Sequence, residues 1–182
     1  LAFENGEVDF VLNPSGVSKA LLDDLVKIPG VNAISNYSNG MRYMAFNTRV
    51  FPSSDKAFRQ DVSCIVDKQF IIQSVLQGVA INMDGQMPAA LTAWVAPVSG
   101  VLADCAGLDS QARFNKSVEI LKAGGWTADD WGSHAGGRES AVPPVGLKGP
   151  NGESFPEGNM KLWAPNAAID PIRATFSNRI SG

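Results

Sequence analysis

The chain is poor in the residues that most often carry catalytic or metal chemistry. Its 182 residues include one histidine and two cysteines, and only 18% are charged. The net charge is −3, and no cluster of basic residues stands out. Nucleic-acid binding needs several Lys or Arg side chains on one face, so we expect no nucleic-acid partner. A hydrophobic content of 45% excludes a disordered chain and indicates a folded protein.

Long hydrophobic runs are also missing. No apolar stretch approaches the roughly 20 residues that a membrane-spanning helix requires, so we expect no direct membrane span in this chain. At 182 residues, one domain with a sizeable core is the default expectation. Leu1–Phe3 resembles the last turn of a helix, and 179–182 resembles a helix stopped midway. We therefore expect residues 1–182 to be a single, partial domain of a longer protein.

The first third of the chain alternates between strand and helix patterns. The predicted strands are Val8–Leu12, Val31–Ser35 and Met41–Asn47, the last two joined by a turn rich in Asn, Ser and Gly. Between them, Val17–Val26 has the amphipathic spacing of a helix, with Ser15 as its predicted N-cap. This order of elements predicts an α/β layer.

The segment from Phe46 to Gly78 predicts a turn followed by two helices. Pro52 blocks continuation of the strand, and the next three residues, two serines and Asp55, are typical helix caps. Apolar residues then recur at helical spacing, and Gly78 stands where a helix C-terminus favours glycine. The sequence alone therefore predicts a buried helical hairpin.

Three further segments follow. Ile81–Leu108 is broken by Pro and Gly but rich in apolar residues, and we expect it to pack against the sheet with Trp94 in the core or at the rim of a cleft. If Trp94 is buried, Trp94→Ala should cost about 3 kcal/mol of stability. A helix is predicted over Asp109–Ala123, capped by Asp109 and stopped by two glycines. Residues 127–158 are predicted to be a surface excursion, with a hairpin turn at Lys148–Gly152.

The run FNTRVFPSSDKAFRQDVSCIVDKQFIIQSVLQG over residues 46–78 resembles the signature block of one protein family. It is similar to the extracytoplasmic solute-binding proteins of peptide-type ABC transporters, the oligopeptide, dipeptide and nickel-binding group. The flanking segments agree with that resemblance in order and rough spacing: they are Glu4–Phe10, Gly30–Val31, Tyr43–Thr48, Ala112–Trp126, Lys161–Ala164 and Asp170–Thr175. No one of these motifs is specific, and their ordered set carries the resemblance.

The resemblance implies one lobe of a two-lobed periplasmic-binding-protein-like fold, with a mixed sheet flanked by helices. It implies a protein that is not an enzyme and that captures peptides or related small solutes for import. The partners would be the ligand and the ABC permease subunits. The location would be periplasmic or otherwise extracytoplasmic, with a cell-surface anchor in a single-membrane organism. The family's acidic motif for a peptide amino terminus is not found downstream of Asp170, so the ligand class cannot be read from it.

The resemblance also places three candidate ligand-binding residues near the cleft. Tyr43 and Asn47 belong to the strand that ends near the cleft and its hinge, and Trp94 could form a wall of the cleft. Asn47 could equally stabilise a turn by bonding to nearby backbone, and Trp94 could be an ordinary core residue. We expect no cofactor, no metal site and no catalytic residue.

The alternative function is that of a small hydrolase built on a loop with Asp129, Asp130 and His134. Such an enzyme needs those side chains to converge with a nucleophile or metal, and a solvated loop histidine explains His134 more simply. Cys64 and Cys105 could form a disulfide in an extracytoplasmic setting. The position of Cys64 on the apolar face of a helix favours a buried free thiol instead.

Overall fold

The computed structural model describes residues 2–12, 17–37, 39–88, 90–97, 100–134 and 141–156. Within these ranges the chain forms five α-helices, a π-helical turn, a 3₁₀ turn and two short strands. The helices are α1 (Lys19–Leu25), α2 (Lys56–Ile65), α3 (Lys68–Phe70), α4 (Val101–Asp104) and α5 (Ser110–Ala123). The strands are β1 (Ser133–His134) and β2 (Ala141–Val142), which pair antiparallel.

The two helices predicted after Pro52 are formed, as α2 and as α3 with the turn that follows it, but their predicted packing into a hairpin is wrong. Within the described chain α2 packs against α5 and α4, and neither α3 nor the turn after it contacts α2. The Asp55 carboxylate accepts a hydrogen bond from the backbone N–H of Phe58 at 2.9 Å, which caps α2. The Asp67 carboxylate caps α3 in the same way through the N–H of Phe70, and α3 continues directly into a π-helical turn over Ile71–Val75. The turn ends at Val75, and Gly78 follows it with a φ of 79°, the left-handed conformation that glycine adopts without strain.

The predicted helix after Asp109 is confirmed as α5. Asp109 caps it through the backbone N–H of Ala112, and two glycines end it as expected. α5 packs along α2, and this helix pair is the centre of the described structure. The two helices approach very closely at one point, because a Cβ added to Gly124 would lie 2.2 Å from the Cβ of Ala57. The absence of a side chain at Gly124 therefore sets the spacing of the pair.

An aromatic cluster closes one end of the helix pair. Trp126, which is 2% exposed, stacks with Phe51 at 5.4 Å and with Phe58 at 6.0 Å between ring centroids. Phe155 lies 6.1 Å from the ring of Phe58. The bond between Phe51 and Pro52 is cis. The cluster joins the turn before α2 to the residue after α5.

The chain after α5 folds back onto the helix pair. Isolated antiparallel bridges join Thr127 to Lys148 and Asp130 to Val145. The predicted turn at Lys148–Gly152 is confirmed, because the N–H of Gly152 donates to the carbonyl of Gly149 at 2.9 Å. Three partly buried side chains of this region, Trp131, Leu147 and Phe155, pack against the core. Residues 127–156, as far as the structure describes them, are thus held to one another by backbone bridges and to the core by side chains.

The expectation of a free Cys64 thiol is wrong. Cys64 at the end of α2 and Cys105 just after α4 form a disulfide that links positions 41 residues apart. Both residues are buried, at 0% and 3% exposure. The apolar surroundings of Cys64 that favoured a thiol are equally those of a buried disulfide, and sequence spacing gave no sign that Cys105 would be its neighbour.

The three predicted strands in the first third are not formed among the described residues. Residues 8–12, 31–37 and 41–47 have no regular secondary structure and carry many exposed apolar side chains, including Phe10, at 74%, and Ile34, at 80%. A strand exists only when a neighbouring strand takes up its backbone hydrogen bonds, and no ladder joins these segments to one another or to the rest of the described chain. The predicted mixed sheet is therefore absent from the described part.

The helix predicted over Val17–Val26 exists in shortened form as α1, with a different cap. Ser18, not Ser15, accepts the capping hydrogen bond, from the N–H of Leu21, while Ser15 lies outside the described residues. α1 has no buried residue, so its predicted inner face does not reach a core. The last two segments of the family resemblance, beyond residue 156, lie outside the described residues as well.

We predict that Gly124→Ala destabilises the protein by about 1–3 kcal/mol, because the new methyl group overlaps Ala57 and must push α2 and α5 apart. The φ of Gly124, −79°, suits any residue, so backbone strain adds nothing. Urea unfolding measures the change. Gly85→Ala is the matched control, since a Cβ at Gly85 meets no atom within 4 Å, and its free energy of unfolding should stay close to that of the wild type.

Candidate functional site

The residues predicted to contact a ligand lie on one side of an extended segment and on a separate loop. Along residues 43–47 exposure alternates: Met44 and Phe46 are partly buried, while Tyr43 and Asn47 are exposed. Phe46 packs against the core, which fixes the opposite side of the segment toward solvent. Tyr43 is 74% exposed. The structure thus places Tyr43 and Asn47 on the same, accessible side.

Asn47 also has a local structural role. Its side-chain oxygen accepts a hydrogen bond from the backbone N–H of Arg49 at 3.2 Å, and its backbone carbonyl accepts one from Val50 at 3.3 Å. This geometry is the turn-stabilising role that the sequence left open. The donor side of the carboxamide takes no part in that turn. A ligand could therefore accept a hydrogen bond from Asn47 while the turn remains intact.

Of the two alternatives for Trp94, burial in the core is wrong, and the described part of Ile81–Leu108 does not pack as a buried segment. Trp94 ends a 3₁₀ turn, Thr92–Trp94, and its side chain is 73% exposed. Val95 is exposed as well, and Leu91 is only partly buried. The helix pair and its aromatic cluster already fill the core, and the Pro-containing segment around Trp94 runs outside them. An indole with so little packing is available to a ligand or partner.

No hydrogen bond or ring contact links Tyr43, Asn47 and Trp94 within the described part of the chain. The structure therefore exposes all three residues but does not unite them into a closed pocket. A surface depression of about 300 Å³ lies elsewhere, between the start of α2 and the end of α5. Asp55, Lys56 and Gln60 form its polar side, and Ile120 and Ala123 form part of its apolar side.

The helix interface contains polar groups that the sequence did not reveal. The hydroxyl of Ser117, a buried residue of α5, donates to the carboxylate of Asp61 on α2. Burial raises the pKa of Asp61 from 3.8 to about 6, and the Ser117 hydrogen bond opposes that rise. One turn earlier on α5, the buried Arg113 donates to the carbonyls of Leu108 and Cys64. The sign of this site in the sequence is that the acidic Asp61 stands among the apolar residues that recur at helical spacing along α2.

The residues of the alternative hydrolase site have separate structural contacts. The Asp130 carboxylate accepts from the backbone N–H of Gly132 at 2.9 Å, and Asp129 lies against Gly146. His134 lies in β1, with its ring 6.0 Å from that of Phe114. No group of three or more His, Cys, Asp or Glu side chains that could hold a metal ion is found in the described ranges. The geometry thus offers nothing specific in favour of hydrolysis.

Comparison with known proteins gives one family. The family model described as bacterial extracellular solute-binding proteins, family 5 Middle, matches residues 1–146. The chain belongs to this family of extracellular solute-binding proteins. No curated protein and no solved structure matches the chain.

Membership fixes the general class of the protein. Family 5 proteins are the solute-binding components of ABC transporters, are in general not enzymes, and act outside the cytoplasm. A buried disulfide agrees with an oxidising, extracytoplasmic environment. Among the residues that the structure describes, no helix is long and apolar enough to cross a membrane.

The raised pKa of Asp61 predicts a pH dependence of stability. Because the folded protein holds this proton more tightly than the unfolded chain, the contribution of Asp61 to stability is greatest below about pH 4 and is lost as the pH rises through about 6. The full loss amounts to at most about 3 kcal/mol. Asp61→Asn keeps an oxygen for Ser117 without the charge. It should therefore flatten this part of the stability curve and raise the free energy of unfolding at pH 7.5 by about 1–2 kcal/mol.

Urea unfolding of the wild type and the variant from pH 4 to 7.5 gives the free energy of unfolding of each protein. Their difference at each pH reports Asp61, because the other carboxylates are the same in both. Ser117→Ala is the opposing control, because it removes the hydrogen bond that favours the ionised form. It should lower stability more at pH 7.5 than at pH 4. If Asp61→Asn has a lower free energy of unfolding than the wild type throughout this range, the ionised carboxylate does not destabilise the fold and the prediction is wrong.

Proposed function

We propose that this chain supplies part of one lobe of a two-lobed solute-binding protein, which captures peptides or related small solutes and delivers them to the permease of an ABC transporter. The family match over residues 1–146 is the observation that carries this proposal. In this arrangement the two lobes close on the ligand like a hinge, and each lobe contributes a part of the contacts.

The proposed ligand contacts are Tyr43, Asn47 and Trp94. Two observations support this assignment: the three residues are exposed, and their side chains suit contact with a peptide-like ligand. Tyr43 and Trp94 present aromatic surface that is nearly three-quarters exposed, at 74% and 73%, and such rings bury a large area at a small entropic cost when a ligand covers them. Asn47 can donate a hydrogen bond to a peptide carbonyl while its oxygen holds the local turn.

The segment that carries Tyr43 and Asn47 is attached to the rigid part of the molecule on its other side. Phe46 packs against the core, and a few residues later Phe51 stacks on Trp126 at 5.4 Å. Contacts between a ligand and the exposed side would therefore be passed to the α2–α5 pair. This attachment suits a segment next to a hinge, where ligand binding and lobe movement must be coupled.

The first test is calorimetry with a panel of peptides of different length and charge. Residues 1–182 alone should bind each peptide with a dissociation constant of about 1 mM or weaker, because losing half of the contacts of a micromolar complex removes about half of its binding free energy. The complete two-lobed protein should bind at least one member in the micromolar range or tighter. Micromolar binding by residues 1–182 alone would contradict the need for a second lobe. Failure of the complete protein to bind any peptide would contradict the peptide assignment.

The second test separates ligand contact from stability. Trp94→Ala should change the free energy of unfolding by less than about 0.5 kcal/mol, because the side chain is exposed. In the complete protein the same variant should weaken solute binding about tenfold or more, because a large aromatic contact is lost. The matched control is Trp131→Ala, since Trp131 packs against the core and receives the Lys122 ammonium over its ring.

Trp131→Ala should lower the melting temperature and leave the affinity for solute unchanged at temperatures where the variant is folded. The proposal for Trp94 is wrong if Trp94→Ala binds the solute as tightly as the wild type does. Thermal unfolding followed by circular dichroism, together with calorimetry on the same samples, provides both readouts.

A further inference from the structure

A long segment leaves the helix pair after α2 and returns to it before α5. We call residues 66–104 the cross-linked loop. Near its beginning Ile71 and Ile72 are buried, and immediately after its end Cys105 is buried. From residue 73 to residue 104, no side chain that the structure describes is buried. Val79 and Trp94, both large apolar residues, are mostly exposed.

Apart from Ile71 and Ile72 near its start and the contact of α4 with α2 at its end, the described part of the loop therefore has little packing of its own. Its internal hydrogen bonds are local, such as those from the N–H of Leu91 to Pro88 and from the N–H of Trp94 to Leu91. One ion pair, between Lys68 and Asp84, connects α3 to the middle of the loop. Segments with so few buried contacts open at a small free-energy cost unless something holds their ends.

Two linkages hold the ends of this loop. The disulfide joins Cys64, at the end of α2, to Cys105, just after α4. The buried Arg113 of α5 donates from Nη1 to the carbonyl of Cys64 at 3.1 Å and from Nε to the carbonyl of Leu108 at 2.9 Å. Arg113 thus binds the backbone at both sides of the base, next to the covalent bond.

We propose that the Cys64–Cys105 disulfide and Arg113 form a brace, which holds the cross-linked loop in place of packing, and that reduction of the disulfide releases the loop as a unit while α2 and α5 stay together. The α2–α5 interface has its own buried side chains, Phe58, Ile120 and Leu121 among them. It does not depend on the covalent bond in the way that the loop does. The position of Trp94, which lies in this loop, therefore depends on whether the Cys64–Cys105 disulfide is intact or reduced.

The reaction is thiol–disulfide exchange with a dithiol. One thiolate of the reductant attacks Cys64 or Cys105 and forms a mixed disulfide, and its second thiol then displaces the protein sulfur. Two electrons and two protons pass to the protein, which ends with two thiols, while the reductant becomes a disulfide. Because both cysteines are buried, attack requires the base of the loop to open. The rate of reduction therefore reports that opening.

Amide hydrogen exchange with mass spectrometry tests the release. After reduction by dithiothreitol, or in the double variant Cys64→Ala and Cys105→Ala, the hydrogen-bonded amides of Leu91, Trp94 and Asp104 should exchange at least about tenfold faster. Amides in the middle of α5 should change by less than about twofold. Equal acceleration in α5, or failure of the double variant to fold, would show that the disulfide holds the whole protein. Unchanged exchange in the loop would show that packing holds it. Either result overturns the proposal.

The role of Arg113 has a matched control on the same helix pair. Arg113→Lys cannot bind two carbonyls from a fixed fork, so the native protein should be reduced at least about fivefold faster by dithiothreitol than the wild type. Arg59→Lys makes the same change at the opposite end of α2, where Arg59 holds the carbonyls of Ser53 and Ser54 at 2.8 Å. It should leave the reduction rate within about twofold of the wild type. Equal rates for Arg113→Lys and the wild type, or equal acceleration by both variants, would exclude Arg113 from the brace.

Discussion

The Asp55 carboxylate joins the start of α2 to the chain just after α5, at one end of the helix pair on which the described structure depends. One oxygen accepts the backbone N–H of Phe58 at 2.9 Å and the indole N–H of Trp126 at 2.8 Å. The first bond starts α2, and the second holds the ring that stacks on Phe51 and Phe58 just after α5. Loss of this carboxylate would remove a helix cap worth about 1 kcal/mol and leave a buried indole donor unpaired, at a cost of about 1–3 kcal/mol.

The helices could be predicted from the sequence because their determinants are local. Asp55 and Asp109 each lie three residues before the N–H that they cap, and glycines follow both α5 and the π-helical turn. A strand cannot form from local interactions alone, since its backbone hydrogen bonds are made with another segment of the chain. The patterns of Val31–Ser35 and Met41–Asn47 predict strands, yet the described residues supply no partner strand for them.

The features that the sequence did not show are all contacts between distant positions. Cys64 and Cys105 are 41 residues apart, Asp61 and Ser117 are 56 apart, and Asp55 and Trp126 are 71 apart. The type of a residue can suggest that it needs a partner, but it does not say which distant residue is that partner. Trp94 shows that residue type alone does not decide burial either. Its apolar character favoured the core, but side chains from α2, α5 and the chain that follows α5 form that core, and Trp94 is exposed. Of the candidate site, the sequence named Tyr43, Asn47 and Trp94, but it did not settle the exposure of Trp94 or how the three residues are arranged.

In the described structure the packed helix pair is separate from the residues proposed to contact the ligand. The helix pair holds many of the buried side chains and the buried Asp61–Ser117 and Arg113 hydrogen bonds, whereas Tyr43 and Trp94 lie on segments outside it. A solute-binding protein needs such a division, because the ligand must meet groups that can be covered and uncovered while the fold persists. The two outer segments are connected to the pair differently, Tyr43 through the packing of Phe46 and Trp94 through a covalent cross-link. If the proposed closure of two lobes shifts the helix pair, both segments therefore move with it, without requiring either to have a core of its own.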